Sequence, residues 1–158
     1  MHKDDSSDMA VLLPRLLRFA LVLGGSRRDA ERLVEAACQE VGGEADCDSA
    51  DTRLDRRLFS LVYEMWTYRW QNGDPIPAWE PSPKVQKNGS GTPRHSQQTP
   101  IDHIRLKTAE LTTTERAVLA LVVIDGRSYR EAAAILSLEV HALATLLYSA
   151  RMRLVETL

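Results

Sequence analysis

The sequence predicts an all-α chain: two small helical domains joined by a Pro-rich linker, the C-terminal one a helix-turn-helix. Three observations carry this. Apolar residues recur at helical spacing on both sides of the middle. Six of the seven prolines fall within residues 71–104. Two Ser/Thr-x-x-Glu capping boxes, Thr112 with Glu115 and Ser128 with Glu131, mark helix starts in the last third. The boundaries that follow are a polar, disordered tail over 1–8, a helical domain over 9–71, a flexible linker over 72–104 and a helix-turn-helix domain over 105–158.

From Met9 to Leu23 the set Val11, Leu12, Leu13, Leu16, Leu17, Phe19, Ala20, Val22 and Leu23 makes a first helix. Pro14 falls inside it, so the helix either starts there or is kinked. Gly24-Gly25 stops it. Ser26 with Asp29 caps a second helix to Val41, with Ala30, Leu33, Val34, Ala37, Cys38 and Val41 on one side. Residues 42–49 read as a polar loop. A third helix covers about 52–70, where Leu54, Leu58, Phe59, Leu61, Val62, Met65 and Trp66 repeat at helical spacing.

The linker is rich in Pro, Gly, Ser, Asn and Gln and cannot bury enough apolar surface to fold alone. Trp79 within it reads as an aromatic docked on a neighbouring helix, or else as a partner contact. Helix resumes over about 101–109. After the Thr112 cap, Val118, Leu119, Leu121, Val122 and Ile124 mark a buried helix that Gly126 ends. Ser128 opens a short Ala-rich helix. Ser137 to Glu139 form a turn, and a last helix runs from about Val140 to Glu156. Two helices joined by a three- or four-residue turn form the supersecondary unit whose second helix enters the DNA major groove.

Charge does not support a strong autonomous nucleic-acid binder. The net charge is −2; residues 1–70 carry 10 Lys+Arg against 13 Asp+Glu, and residues 105–158 carry 7 against 6. Two cysteines, Cys38 and Cys47, are too few for a disulfide scaffold and lack zinc-ligand spacing; Cys38 reads as a helix residue and Cys47 as a loop thiol, with a redox pair as the minor alternative. The N-terminus has no signal-peptide pattern, and no stretch approaches 18 uncharged apolar residues, so no membrane span and a cytoplasmic location are expected. No His/Cys/Asp cluster, Gly-rich phosphate loop or nucleophile motif suggests an enzyme, a metal, a cofactor or a small-molecule substrate. His2, His95 and His103 sit in the tail and linker and read as exposed, unligated side chains.

The segment Leu111-Thr-Thr-Thr-Glu115-Arg116, then Gly126-Arg-Ser128-Tyr129-Arg-Glu131-Ala132-Ala133, Leu136 and Ala150-Arg151-Met-Arg153-Leu154 resembles region four of bacterial RNA polymerase sigma factors of the extracytoplasmic-function group. More loosely, Leu13-Pro-Arg-Leu-Leu-Arg-Phe19-Ala, Gly25-Ser-Arg-Arg-Asp29-Ala30-Glu31-Arg-Leu33-Val34 and Arg57-Leu58-Phe59 with Trp66 and Arg69 are similar to region two. The resemblance implies a non-enzymatic protein with no cofactor. It implies that core RNA polymerase, promoter DNA and an anti-sigma factor are its partners. Region two would engage the polymerase and the melted strand through Arg32, Glu35, Trp66 and Arg69. Region four would meet DNA through Arg127, Ser128 and Arg130, with Arg127 and Arg130 as phosphate anchors or a solvated face, and through His141, Thr145, Tyr148, Ser149 and Arg151.

The departures sit at the functional places. Where the family's turn and recognition helix usually carry a hydroxyl and two basic residues, this chain has Ala142, Ala144 and Leu146. Each missing Arg or Lys contact to a guanine edge is worth about 1–3 kcal/mol. Glu64 stands where an amide is usual near the melted strand, and a carboxylate there repels phosphate. Trp66, Tyr68 and Trp70 offer aromatic stacking on unpaired bases, against a core role for Trp66 and an end-capping one for Trp70. Three readings therefore compete: a sigma factor with an unusual promoter, a sigma mimic that sequesters an anti-sigma factor without binding DNA itself, and a helical interaction module of another family.

Overall fold

The computed structural model describes residues 5–24, 26–43, 51–71 and 108–156; among them, all regular structure is helical. The linker with Trp79, the loop with Cys47, and His2, His95 and His103 lie outside the described residues.

Helix α1 spans Asp5–Gly24. It begins four residues before the apolar pattern does, so the polar residues 5–8 extend the helix rather than precede it. Pro14 lies in its interior on an exposed face. The helix neither starts nor ends there: the donor that Ala10's carbonyl loses is one that water can replace on that face. Helix α2 spans Arg27–Gly43 and α3 spans Asp51–Gln71. Ser26 accepts only a long bond, 3.5 Å, from the Asp29 backbone N–H. Leu12, Leu16, Phe19, Leu23, Leu33, Ala37, Leu58, Phe59, Val62 and Trp66 bury the shared faces of these three helices.

Helix α4, Thr113–Leu119, opens on the Thr112–Glu115 capping box and continues into a π-helical turn, Ala120–Ile124. There the Asp125 N–H donates to the Ala120 carbonyl at 2.9 Å, and the Arg127 N–H to the Leu121 carbonyl at 2.9 Å. Gly126 between them has φ +72°, where a Cβ would be strained. The extra residue in the turn is invisible to apolar periodicity, because Leu121 stays buried on the same face.

Helix α5, Tyr129–Leu136, opens on the Ser128–Glu131 capping box and closes on Ser137, which is left-handed at φ 53°, ψ 43°. Helix α6, Val140–Val155, then leaves at 99° to α5. That angle and the three-residue turn are those of a helix-turn-helix. Ala132, Ala133 and Ala150 are buried, and their small side chains permit the close crossing.

The two halves share one continuous apolar core. α3 packs on α5, and α1 packs on α4 and its π turn. Ser60 of α3 donates to the Ile135 carbonyl at 2.9 Å, and the Tyr63 and Thr114 hydroxyls meet at 3.2 Å. No single helix among the described residues is long and apolar enough to cross a membrane.

Candidate nucleic-acid and partner interface

Four charges lie across the seam between the halves. Arg15 of α1 donates from Nε and Nη2 to the two Asp125 oxygens at 2.8 and 2.7 Å. Arg127 donates from Nε to Asp125 Oδ2 at 2.8 Å and from Nη2 to Asp55 Oδ1 of α3 at 2.6 Å. Arg15 Nη1 stands 3.8 Å from Asp55. Beneath them lies Phe59, fully buried and 5.2 Å from the Phe19 ring. The Arg127 guanidinium sits 4.4 Å from the Phe59 ring centre and that of Arg15 5.9 Å from it, both within cation–π range. The two arginines and two aspartates balance. The hydrogen bond from Arg15 holds the Arg15–Asp125 pair ionised and raises the Arg15 pKa. Desolvation pushes Asp125 up, but Arg15 and Arg127 together outweigh it and hold the carboxyl below its ordinary value.

A second buried charge organises the C-terminal half. Glu115, 3% exposed, accepts from the Thr112 N–H at 2.9 Å, the Thr112 hydroxyl at 3.1 Å, Ser149 at 3.0 Å and Arg153 at 3.2 Å. Desolvation raises its pKa and these donors more than compensate, so the carboxylate titrates below its usual range. The cap of α4 is thereby tied to the far end of α6.

These networks correct several expectations. Arg127 is not an open phosphate anchor: its side chain is 7% exposed, and both edges of its fork are occupied. Ser149 donates to Glu115 rather than facing a DNA groove. Of the two readings of Trp66, a contact for the melted strand or the polymerase and a core residue, the structure has the core one: Trp66 is 3% exposed and packs over Gly24, where an added Cβ would stand 3.2 Å from its ring. Ser128 has its hydroxyl engaged with Glu131 in the cap. The Arg69 side chain lies outside the described residues.

Arg130, His141, Thr145, Tyr148 and Arg151 are exposed. The Thr145 hydroxyl donates back to the His141 carbonyl at 3.0 Å. The exposed surface of α6 is mixed: Val140, Tyr148, Met152 and Val155 face out beside His141, Thr145, Arg151 and Arg153, Tyr148 to 66%.

Arg32 and Glu35 stand exposed on α2 between two grooves. One, about 830 Å³, lies between α1 and α2 against Met9, Leu13, Leu17, Val34, Cys38 and Glu35. The other, about 510 Å³, lies between α2 and α3 against Arg32, Leu33, Leu61, Glu64, Met65 and Tyr68. Apolar floors with charged rims suit a docked helix.

Sequence reasoning missed Arg15, Asp55 and Asp125 altogether. Asp125 ends an apolar run and Asp55 stands among Arg53, Leu54, Arg56 and Arg57, and no local pattern joins either to Arg15.

Comparison with known proteins gives the following. Residues 103–154 match the family model described as Sigma-70, region 4. No curated protein sequence matches the chain. The chain is similar in structure to a co-crystal structure of the sigma factor RpoE in complex with the anti-sigma factor NepR from Bartonella quintana, at TM-score 0.67 and 22% identity over 98% of this chain and 96% of that one. It is similar to the co-crystal structure of the anti-anti-sigma factor PhyR complexed with NepR from the same organism, at TM-score 0.62 and 18% identity; it covers 97% of itself but spans only 50% of that chain. An NMR structure of the PhyRSL–NepR complex from Sphingomonas sp. Fr1 matches at TM-score 0.65 and 20% identity, over 93% and 84% of the two chains. Residues 103–154 thus match Sigma-70, region 4, on a chain whose helical fold is similar to those of these solved structures.

Proposed function

We propose that the chain is a sigma-factor-like regulator of transcription initiation that binds core RNA polymerase and directs it to promoters. The observation that carries this is the helix-turn-helix crossing of 99° inside the segment that matches Sigma-70 region 4. The α2 ridge with Arg32 and Glu35, between its two grooves, is the surface assigned to the polymerase. The face of α6 with His141, Thr145, Tyr148 and Arg151, flanked by Arg130, is assigned to DNA. In this reading the protein is not itself an enzyme, needs no cofactor and acts in the cytoplasm. Gel filtration with core polymerase tests it: co-elution that Glu35→Arg weakens supports the reading, and separate elution at micromolar concentrations contradicts it.

A second reading is favoured by a specific observation. Val140, Tyr148, Met152 and Val155 are exposed on α6, and the basic residues usual on a recognition helix are replaced by Ala144 and Leu146. Such a face suits a protein helix better than a polyanion. The chain then acts as a sigma mimic that sequesters an anti-sigma factor without binding DNA itself. Similar structures were solved with NepR bound, which gives the partner its class. Tight binding of a purified anti-sigma factor with no affinity for core polymerase would select this reading over the first.

A further inference from the structure

We propose that Asp55 occupies the place of a nucleic-acid phosphate at Arg127, so that closure of the seam and phosphate binding by Arg127 exclude one another. This rests on the reading that the helix-turn-helix meets DNA.

Arg127 lies one residue before the Ser128 cap of α5 and three before the exposed Arg130. A guanidinium binds carboxylate and phosphate oxygens with the same forked geometry. Here the fork is filled from both halves: Nε by Asp125, on its own half, and Nη2 by Asp55, from α3, at 2.6 Å. Phe59, also of α3, covers the guanidinium at 4.4 Å. Asp125 travels with Arg127, whereas Asp55 and Phe59 leave with α3. Opening the seam therefore frees the Nη2 edge and uncovers the cation without breaking the Arg127–Asp125 bond.

The masking has weight because basic residues are scarce. Residues 105–158 carry 7 Lys+Arg against 6 Asp+Glu, and Arg153 is turned to Glu115. One added phosphate contact steepens the salt dependence of DNA binding by about one unit of log–log slope. A coupling of this kind between two sites is typically at least fivefold in affinity.

The test measures the affinity of the full chain and of Asp55→Ala for a short random-sequence DNA duplex across a salt series. The expected result is about a tenfold tighter Kd for Asp55→Ala, a salt slope steeper by about one, and loss of both gains in Asp55→Ala/Arg127→Gln. Hydrogen exchange on the wild-type chain is the second arm, and it serves if Asp55→Ala does not fold. Added duplex is expected to speed exchange in α3 around Asp55 and Phe59. Unchanged affinity and slope in Asp55→Ala, or unchanged exchange on adding duplex, overturns the proposal. If co-elution with core polymerase persists in that case, only the masking falls. If co-elution is also absent, the sigma reading falls with it.

Discussion

Arg15 and Asp125, 110 residues apart, meet in a two-pronged ion pair at 2.8 and 2.7 Å. The Asp125 side chain is 10% exposed. Removing it would leave Arg15 and Arg127 both facing a single remaining carboxylate, Asp55. Breaking a buried charge network by deleting one partner costs far more than a surface pair is worth. Asp125→Ala is therefore expected to destabilise the chain by about 2–4 kcal/mol, read as a lower urea midpoint, whereas Arg27→Ala, which removes the exposed pair with Glu31, should cost under about 1 kcal/mol. Equal effects of the two would contradict the seam as described.

Glu115 joins the start of α4 to the end of α6 through Thr112, Ser149 and Arg153. Glu115→Ala loses the cap and the bonds from Thr112, Ser149 and Arg153, an expected cost of about 2 kcal/mol. Ser149→Ala removes one hydroxyl and should cost about 1 kcal/mol. Because Ser149 is turned inward, that change should leave DNA affinity unaltered in a fluorescence anisotropy titration; a marked loss would restore Ser149 as a groove contact.

The same carboxylates set the pH dependence. The folded protein holds Glu115 and Asp125 below their ordinary values of 4.5 and 3.8. The unfolded chain therefore binds protons first as pH falls. The stabilisation is complete above about pH 5 and drains away as pH drops through the ordinary values and then the depressed ones. Urea midpoints should hold between pH 7 and 5 and fall below pH 4. Glu115→Gln should flatten part of that fall.

Ser137 is the one non-glycine residue with positive φ among the described residues, and it sits in the turn of the helix-turn-helix. Left-handed backbone costs most L-residues about 1–2 kcal/mol, and glycine gives part of that back as unfolded-state entropy. Ser137→Gly should therefore raise stability by about 0.5 kcal/mol. Gly126→Ala, at φ +72°, should lower it by about 1 kcal/mol. Thermal unfolding of both variants checks the pair of signs.

What was legible in the sequence is what is local. Thr112 with Glu115, Ser128 with Glu131, and Gly126 lie within a few residues of the ends they define, and the structure has all three features. The Ser137 turn and the start of α6 at Val140 follow from the apolar pattern on either side. The seam was not legible, because its partners lie far apart in the chain and no local pattern joins them. Arg127 was taken for a phosphate anchor or a solvated face for that reason: nothing nearby in sequence announced Asp55. Ser149 was misassigned because helical spacing gives a face but not which neighbour covers it, whereas the same spacing placed Trp66 in the core, where it lies. The π turn escaped because one extra residue alters the hydrogen bonding while leaving Leu121 in the core.

Run-off transcription with core polymerase on a promoter library tests the central claim most directly. A sigma-factor-like regulator is expected to yield a defined set of transcripts that depends on added protein and weakens in Arg130→Ala and in Tyr148→Ala. No protein-dependent transcript, together with no co-elution with core polymerase, would contradict it.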